Sequence, residues 1–339
     1  MSSARTTELP QSSIPIFTTV SSYRAWRREA FRANKSVGYV PTMGALHEGH
    51  LSLVRKSLAQ NDLTVVSIFV NPAQFAPHED LATYPRTLAT DLELLEAEKV
   101  DSEQSPEKVH TPSAVFLPSV GEMYPSGIVQ NVAEQKGSFI EVKGYGHQME
   151  GVSRPTFFRG VATVVTKLFN AIEPTNAYFG QKDIQQALLL KRLVRDLLLS
   201  HPEPKNLHII PTARDPTTGL ALSSRNAYLT AHGLIVAPTL RQALRAAEDA
   251  WDQGQTKGEC IAQATAVVHA SEKAAASSGL EVTMRLDYLQ MNDADSFEVL
   301  NDGVRKTDVG LVILSGALNV DQTRLIDNIL LGDSAKVLG

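Results

Sequence analysis

The first half of the chain alternates between short apolar runs and segments whose apolar residues follow helical spacing. Continuous apolar runs at residues 37–40, 63–70 and 114–117 predict buried strands. After the first run, apolar residues recur close to a helical period at Leu46, Leu51, Val54 and Leu58. Strands that alternate with helices in this way predict an α/β fold with a parallel sheet.

Further elements fill the chain around these runs. We predict helices at residues 23–31 (with Ser21 or Ser22 as N-cap), 87–99, 160–172 and 184–199, and strands at 139–142, 177–179 and 207–210. Residues 1–13 predict a flexible tail. Residues 101–112 are polar and aperiodic, so we expect an exposed insertion without a catalytic role.

The pattern changes after residue 228. Two alanine-rich helices at 239–251 and 258–275, with strands at 282–289, 309–315 and 323–327, predict a second, smaller α/β domain. We place the first domain at residues 14–212 and the second at 213–339.

Composition excludes several classes of function. Apolar residues at 43% and charged residues at 20% are typical of an ordinary globular protein. A net charge of −5 gives no support for nucleic acid or an anionic membrane as a partner. The single cysteine, Cys260, cannot form an intrachain disulfide. Since neither a secretory signal nor a membrane-spanning run is apparent, we expect a cytoplasmic protein.

Residues 38–50 carry the first candidate site. We expect Pro41 to end the strand, because proline cannot donate a hydrogen bond to a sheet ladder. His47 and His50 then share one face of the first helical turn, and Gly49 lets a ligand approach the backbone. Because a helix N-terminus attracts anions, this arrangement predicts a polyphosphate site. Two imidazoles could instead share a zinc ion, but no nearby Cys or His completes a ligand set.

A lysine stands at a second strand–turn–helix. Lys182 follows the strand at 177–179, where it can meet a phosphate as a point charge. The polar loop at 215–226 contains Ser223, Ser224 and Arg225, whose donors can close over a phosphate. A solvated, turn-rich loop is the simpler interpretation of that composition.

Two polar side chains follow the strand predicted at 63–70. Ligands of open α/β sheets gather at the carboxyl ends of strands, so Asn71 and Gln74 are candidates to bind polar substrate groups. A turn asparagine and a surface glutamine explain the same positions equally well.

Five motifs occur in order along the chain: Pro41-Thr42-Met43-Gly44 with His47-x-Gly49-His50, Phe69-Val70-Asn71-Pro72-x-Gln74-Phe75, Tyr84-Pro85-Arg86-Thr87, Phe179-Gly180-x-Lys182-Asp183-x-Gln185-Gln186, and Ser223-Ser224-Arg225-Asn226. Together they resemble the pantothenate synthetase family, the ligases that join pantoate to β-alanine. Weaker echoes lie at residues 286–288 and 323–328, so the resemblance covers about residues 15–330.

The resemblance implies a Rossmann-like N-terminal domain, a smaller C-terminal lid domain, a homodimer, and ATP with Mg²⁺. It also implies two steps. The carboxylate of pantoate attacks the α-phosphate of ATP and releases pyrophosphate, leaving pantoyl adenylate. The amine of β-alanine then displaces AMP.

The resemblance further implies roles for individual residues. His47, His50, Lys182, Ser223, Ser224 and Arg225 would contact the phosphates, with His50 as a proton donor in the transition state. The implied ATP site comprises these six with Pro41, Thr42, Met43, Gly44, Gly49, Gly180, Gln181, Asp183, Ala213 and Leu222. The implied pantoate site comprises Met43, Asn71, Gln74, Tyr84, Arg154 and Gln186.

Several positions depart from the family pattern. Phe157 stands where the family usually has histidine, so no role carries over there. Gln181 stands where glutamate is common, and Leu222 where methionine is sometimes found. Thr90 and Asp91 replace a frequent acidic pair, so Asp91 is the candidate Mg²⁺ ligand, although phosphate oxygens and water can hold the metal instead.

Two other functions fit parts of the pattern. A nucleotidylyltransferase would use the same phosphate site, but it would need a basic acceptor pocket in place of the neutral amides of Gln74 and Gln186. An inactive ATP-binding module would not need His47, His50, Lys182 and Arg225 together.

Overall fold

The computed structural model describes residues 9–75, 81–103, 105 and 107–338, so most of the predicted tail at 1–13 lies outside the described residues. In chain order the helices and strands are β1 (Ile16–Phe17), α1 (Val20–Arg32), β2 (Val37–Thr42), α2 (Glu48–Gln60), β3 (Leu63–Ile68), α3 (Leu88–Ala97), β4 (Val100–Asp101), β5 (Val109–His110), β6 (Ala114–Phe116), α4 (Val120–Met123), α5 (Glu150–Ser153), α6 (Phe157–Ile172), β7 (Asn176–Gly180), α7 (Ile184–Asp196), β8 (Leu207–Ile210), α8 (Ala231–Val236), α9 (Thr239–Asp252), α10 (Lys257–Ser277), β9 (Met284–Asp293), β10 (Val312–Val320) and β11 (Thr323–Leu331).

The larger sheet is parallel, with the strand order β1-β6-β3-β2-β7-β8. β2 pairs with β3 on one side and with β7 on the other, so the strand order reverses around β2. Ligands of such sheets bind outside the carboxyl ends of the strands at this reversal. The predicted parallel α/β fold is confirmed. The loops after β2, β3 and β7 are therefore where a ligand is expected to bind.

Neighbouring residues of each central strand face opposite layers of helices. Tyr39 and Val65 pack in one core with α1, α6 and α7, whereas Val40 and Val66 pack in another with α2 and α3. All four side chains are completely buried. The apolar stripe predicted on the helix at 160–172 is also buried in α6.

The smaller sheet is antiparallel, with the order β11-β10-β9, and the predicted second α/β unit is confirmed. Val312 and Leu314 of β10 pack in one cluster with residues of α9 and α10. Ile313, which lies between them, packs instead with residues of α6 and α7. The two faces of this sheet therefore serve two different cores. Within the described residues, none of the helices is both long and apolar enough to span a bilayer.

The prediction that Pro41 ends the first strand is wrong, because Pro41 lies inside β2 and pairs with Ser67. The carbonyl of Val37 accepts from Thr175 on the β7 side, whereas that of Thr42 accepts from Phe69 on the β3 side. Backbone groups alternate sides along a strand, so the position of Pro41 faces β7. Pairing with β7 has already ended at Tyr39, so no ladder hydrogen bond is lost.

Two other local predictions are corrected. No strand forms at residues 139–142, because the Ile140 N–H donates to the Thr163 hydroxyl of α6 at 3.0 Å. α1 begins at Val20 and is capped by Thr19, whose hydroxyl accepts from Ser22 N at 3.1 Å, so the Ser21 or Ser22 cap was misplaced. Other element ends shift by a few residues.

The described residues of the expected insertion at 101–112 make defined contacts with the rest of the chain. These residues include the end of a two-stranded ribbon of β4 and β5. Glu103 N donates to the carbonyl of Ala59 at 2.8 Å, and His110 Nδ1 lies 2.9 Å from the carbonyl of Leu58. The segment therefore docks on the C-terminal end of α2, away from the histidines at the other end.

Candidate functional site

A cleft of about 550 Å³ opens at the carboxyl ends of β2, β3, β7 and β8. Nearly all of the predicted site residues line it: Pro41, Thr42, Met43, His47, Gly49, His50, Asn71, Gln74, Tyr84, Arg154, Gly180, Lys182, Asp183, Gln186, Ala213, Leu222, Ser223, Ser224 and Arg225. Gly44, Gln181 and Asp91 do not belong to the lining. The fold thus gathers into one cleft residues that are far apart in the sequence.

His47 and His50 lie at the start of α2. His47 is the N-cap residue, and its Nδ1 accepts from Gly49 N–H at 3.1 Å. Because a neutral imidazole that accepts through Nδ1 carries its proton on Nε2, the latter atom remains a donor. A Cβ on residue 49 would lie 2.7 Å from Cε1 of His47, so the folded-back ring requires glycine here.

Both imidazoles are held in the neutral form. Burial, reinforced by the charge of Lys182, lowers the pKa of His47 to about 4. Burial, with His47 and Lys182 nearby, lowers the pKa of His50 to about 3. The buried Nδ1 of His50 has no hydrogen-bond partner among the described residues. Two neutral rings beside a cation can therefore donate hydrogen bonds to an anion.

Lys182 lies in the short 3₁₀ turn Gln181–Asp183, between β7 and α7. Its Nζ lies 3.2 Å from Oδ2 of Asp183. Burial acts to raise the pKa of the Asp183 carboxyl, but Lys182 and Arg225 outweigh it and hold that pKa below its ordinary range. The end of the cleft near the histidines therefore carries positive charge that one carboxylate only partly balances.

The loop after β8 lies beside the start of α2, since a Cβ on Gly49 would be 3.7 Å from the carbonyl oxygen of Leu222. Leu222 N donates to the carbonyl of Ala213 at 3.0 Å, which folds the loop back on itself. Ser223 caps the next turn by accepting from Arg225 N at 3.3 Å. Ser224 hydrogen-bonds with the hydroxyl of Tyr84, whose pKa is raised by burial.

The turn after β3 is built around Asn71, which is 1% exposed. Its Nδ2 donates to Oε1 of Gln74 at 2.9 Å, and its Oδ1 accepts from the Tyr124 hydroxyl at 2.7 Å. A Cβ on Gly160 would lie 2.1 Å from the carbonyl oxygen of Ala73, so α6 meets this turn directly. Asn71 therefore orients Gln74 as well as lining the cleft.

Arg154 supports the same turn from the other side. Its guanidinium donates to the carbonyl of Gln74 at 2.8 Å and stacks over the ring of Phe157 at 4.0 Å. The phenylalanine that replaces the expected histidine thus packs against this arginine. Gln186, in the first turn of α7, also lines the cleft.

The prediction of Asp91 as a magnesium ligand is corrected by its geometry. The side chain is 1% exposed, and its oxygens accept from Ala45 N at 3.1 Å, Leu46 N at 2.8 Å and the Thr87 hydroxyl at 3.1 Å. Asp91 instead fixes the loop before His47. In the part of the chain that the structure describes, no group of three or more His, Cys, Asp or Glu could hold a metal, so the zinc alternative also lacks ligands.

Sequence reasoning missed polar residues that β9 and β11 bring to the cleft: Tyr288, Asp327 and Asn328, with Glu150 from α5. The Tyr288 hydroxyl donates to Oε1 of Glu150 at 2.8 Å. Asp327 accepts two hydrogen bonds from Arg214, at 2.6 and 2.9 Å. The weak motif echoes at 286–288 and 323–328 were the available signal.

Comparison with known proteins agrees with this geometry. A family model described as pantoate-beta-alanine ligase matches residues 15–330. The chain is 43% identical over 316 residues to the pantothenate synthetase of Herpetosiphon aurantiacus, covering 93% of this chain and 99% of that protein. It is 40% identical over 326 residues to the pantoate–beta-alanine ligase of Saccharomyces cerevisiae, with the same coverage, 93% and 99%.

Solved structures show the same likeness. Pantothenate synthetase from Thermus thermophilus matches with a TM-score of 0.74 and 35% identity, over 93% of this chain and 99% of that one. Pantoate-beta-alanine ligase from Francisella tularensis, complexed with beta-gamma ATP and beta-alanine, matches with a TM-score of 0.67 and 30% identity, over 94% of this chain and 98% of that one. Sequence, fold and cleft agree, and the chain belongs to the pantoate–β-alanine ligase family.

Proposed function

We propose that this chain condenses pantoate with β-alanine at the expense of ATP, giving pantothenate, AMP and pyrophosphate through a pantoyl adenylate. The observation that carries the proposal is one cleft with two kinds of wall. The cleft is lined by His47, His50 and Lys182 and also by the neutral amides of Gln74 and Gln186. Phosphates suit the first set of groups, and a hydroxy acid suits the second.

In the first step, a carboxylate oxygen of pantoate attacks the α-phosphorus while the bond to the bridging oxygen of pyrophosphate breaks. Catalysis of this kind depends on positioning and charge stabilisation rather than on a covalent nucleophile. The Nε2–H of His47 and a ring nitrogen of His50 donate to phosphate oxygens, and Lys182 neutralises the growing charge. Ser223, Ser224 and Arg225, in the loop after β8, close over the phosphates.

Buried polar groups without partners support a polar ligand in the cleft. Nδ1 of His50 and the hydroxyl of Thr212 are both buried and lack hydrogen bonds to the described residues. An unsatisfied buried polar atom costs about 1–3 kcal/mol, so both atoms favour a ligand that bonds to them. Thr212 and Ala213 follow β8. We place the adenine and ribose of ATP beside these two residues and beside Gly180 and Asp183.

Pantoate binds between the amides and an apolar wall. Gln74 and Gln186 hydrogen-bond its carboxylate and hydroxyl groups, while Asn71, Tyr84 and Arg154 hold Gln74 or complete the pocket. Val161, Val164 and Val165 of α6 line the same cleft and suit the two methyl groups of pantoate. Neutral amides bind the carboxylate without withdrawing the negative charge that makes it nucleophilic.

In the second step, the amine of β-alanine attacks the acyl carbon of pantoyl adenylate. The C–N bond forms, the bond between the acyl carbon and the phosphate oxygen breaks, AMP leaves, and the amine loses a proton. Lys182 and the histidines lie beside the phosphate of the departing AMP, but they stabilise less charge than in the first step, because pyrophosphate has already left.

Magnesium accompanies ATP in this proposal. The donor set of the cleft does not form a dedicated protein site, because its phosphate end is built from cations, imidazoles and hydroxyls with Asp183 already beside Lys182. Mg²⁺ commonly keeps several waters and binds substrate phosphates, so phosphate oxygens and water suffice to hold it.

Three further properties belong to the proposal. We place the protein in the cytoplasm, which suits its single, buried cysteine, Cys260. We propose a homodimer, and a division of the chain at 212/213 with the second part acting as a lid. β8 ends at Ile210, and the elements that follow build the smaller sheet, which supports that division.

Pyrophosphate release tests the proposal. ATP, Mg²⁺ and pantoate without β-alanine should give a burst of about one pyrophosphate per active site, because the adenylate stays bound. Addition of β-alanine should convert the burst into continuous turnover with pantothenate as product. Absence of pantoate-dependent pyrophosphate would overturn the ligase proposal, and phosphorylated acceptors would then be screened.

A further inference from the structure

A buried asparagine of β11 binds the turn that carries Lys182. Nδ2 of Asn328 donates to the carbonyls of Gln181 and Lys182, each at 2.9 Å. Its Oδ1 accepts from Nε2 of Gln181 at 3.2 Å. Asn328 is 2% exposed, and 146 residues separate it from Lys182 in the sequence. One side chain of the smaller sheet thus fixes a turn of the larger one.

The ammonium group of Lys182 needs this kind of support. Its Nζ contacts the carboxylate of Asp183 at 3.2 Å, and the side chain is 19% exposed. A lysine side chain is long and flexible, so the position of its head depends on how firmly its backbone is held. The turn Gln181–Asp183 is only three residues long, and Asn328 binds two of its carbonyls.

Asn328 is itself held in place. Its N–H donates to Oδ1 of Asp327 at 2.8 Å, and that carboxylate forms two hydrogen bonds with Arg214. Asp327 is 4% exposed. A charge-assisted pair of this geometry is strong, so the strand next to Asn328 is rigidly placed.

We infer that Asn328 is a positioning residue for Lys182: it holds the backbone of the turn so that the ammonium group meets the phosphates of the first step. The inference rests on the proposed function of Lys182. Asn328 Nδ2 bonds only to backbone carbonyls, so its effect reaches the reaction through Lys182.

The expected signature is a difference between the two half-reactions. Asn328→Ala leaves two carbonyls without their donor and lets the turn shift. A displacement of about 1 Å can cost up to about 100-fold in rate, so pantoate-dependent pyrophosphate release should fall about 10- to 100-fold per folded molecule. After pyrophosphate has left, less phosphate charge remains, so conversion of supplied pantoyl adenylate with β-alanine should fall less than about 3-fold.

Asn292→Ala is the matched control. Asn292 is 0% exposed, lies on β9 of the same sheet, and donates through Nδ2 to the carbonyl of Phe297 at 2.8 Å. This variant also loses a buried amide, but one that donates to Phe297 and not to the turn that carries Lys182. It should change stability while both half-reactions per folded molecule stay within about 2-fold of wild type. Asn328→Asp, which keeps the shape and removes both Nδ2–H donors, replaces Asn328→Ala if the latter fails to fold.

The outcomes separate the two proposals. A wild-type protein without pantoate-dependent pyrophosphate overturns the proposed function. An active wild type with an unaffected first half-reaction in the Asn328 variants overturns the positioning role. Equal losses in both half-reactions also overturn it, because they would show general damage to the cleft.

Discussion

The imidazole rings of His47 and His50 lie 4.1 Å apart between centroids, tilted by 43°, in a buried site beside Lys182. Burial and the neighbouring positive charge lower their pKa values from 6.5 to about 4 and about 3. In the unfolded chain this depression is absent. At pH values between these depressed pKa values and about 6.5, the two histidines therefore bind protons in the unfolded chain but not in the folded protein.

The first prediction concerns acid stability. As the pH falls from about 6.5 towards 4, the free energy of unfolding should decrease, because protons bind preferentially to the unfolded chain. His50→Gln removes one of the two groups, so the loss of thermal stability between about pH 7 and pH 5 should be smaller in this variant. Replacement of the exposed His147 by glutamine is the control and should keep the wild-type slope. Identical slopes for wild type and His50→Gln would contradict the depressed pKa.

The second prediction concerns Lys182. Lys182→Ala should lower the rate of pantoate-dependent pyrophosphate release by about 100- to 1,000-fold, because a preorganised charge in a water-poor site is lost. Lys182→Arg should recover little, since a planar guanidinium does not replace a compact ammonium ion. Lys205→Ala removes a lysine whose side chain is 77% exposed and should leave the rate unchanged. A Lys182→Ala enzyme within about 3-fold of wild type would remove Lys182 from the mechanism.

The third prediction concerns the contact between α6 and the turn after β3. Gly160→Ala places a Cβ 2.1 Å from the carbonyl oxygen of Ala73, so the turn carrying Gln74 must move. We expect the KM for pantoate to rise about 10-fold or more, and stability to fall by about 1–3 kcal/mol. Gly121→Ala, whose Cβ meets no atom closer than 3.9 Å, is the control. An unchanged KM in Gly160→Ala would show that this turn does not position pantoate.

The fourth prediction concerns the ion pair that joins α5 to β11. Arg324 donates to both carboxylate oxygens of Glu150, at 2.6 and 3.0 Å, and the two side chains are 23% and 18% exposed. A double-mutant cycle with Glu150→Ala and Arg324→Ala, followed by urea unfolding, should give a coupling of about 1–2 kcal/mol.

The matched comparison for that cycle is the exposed pair of Lys306 and Asp252, whose side chains are 51% and 60% exposed. Solvent screens such pairs, so their coupling should be below about 0.5 kcal/mol. Equal coupling energies in the two cycles would show that the bidentate geometry and partial burial of Glu150 and Arg324 add nothing.

Local patterns predicted much of the fold because they report burial directly. The continuous apolar runs predicted β2, β3 and β6, and the helical spacing of apolar residues predicted α6. The errors arose where tertiary pairing decided the outcome. Pro41 remains in its strand because its missing N–H faces a side where pairing has ended. In the segment 139–142, the Ile140 N–H donates to the side chain of Thr163 and not to a neighbouring strand. Sequence shows neither relationship.

In the cleft, too, local motifs could be predicted from the sequence, whereas contacts between distant segments could not. The groups around His47 and Lys182 were predictable because each lies in a short motif with its own turn. Asp91 was assigned to a metal because it stands where an acidic pair is frequent in the family. Its observed partners, the N–H groups of Ala45 and Leu46, precede it by about 45 residues, so the sequence does not show them. The position of Asn328 beside the Lys182 turn could not be predicted from the sequence for a similar reason. The contacts between them form only when the two sheets pack together.

The alternation along β10 has a consequence for protein engineering. Ile313 belongs to the core of the larger sheet, whereas its neighbours Val312 and Leu314 belong to the core of the smaller one. Phe297 likewise joins the first core, and it is fully buried. A chimera that exchanges the chain after residue 212 between relatives would therefore import foreign side chains into the recipient's first core. Recombination at this boundary needs Phe297 and Ile313 to be inherited together with the rest of that core, which includes residues of α6 and α7.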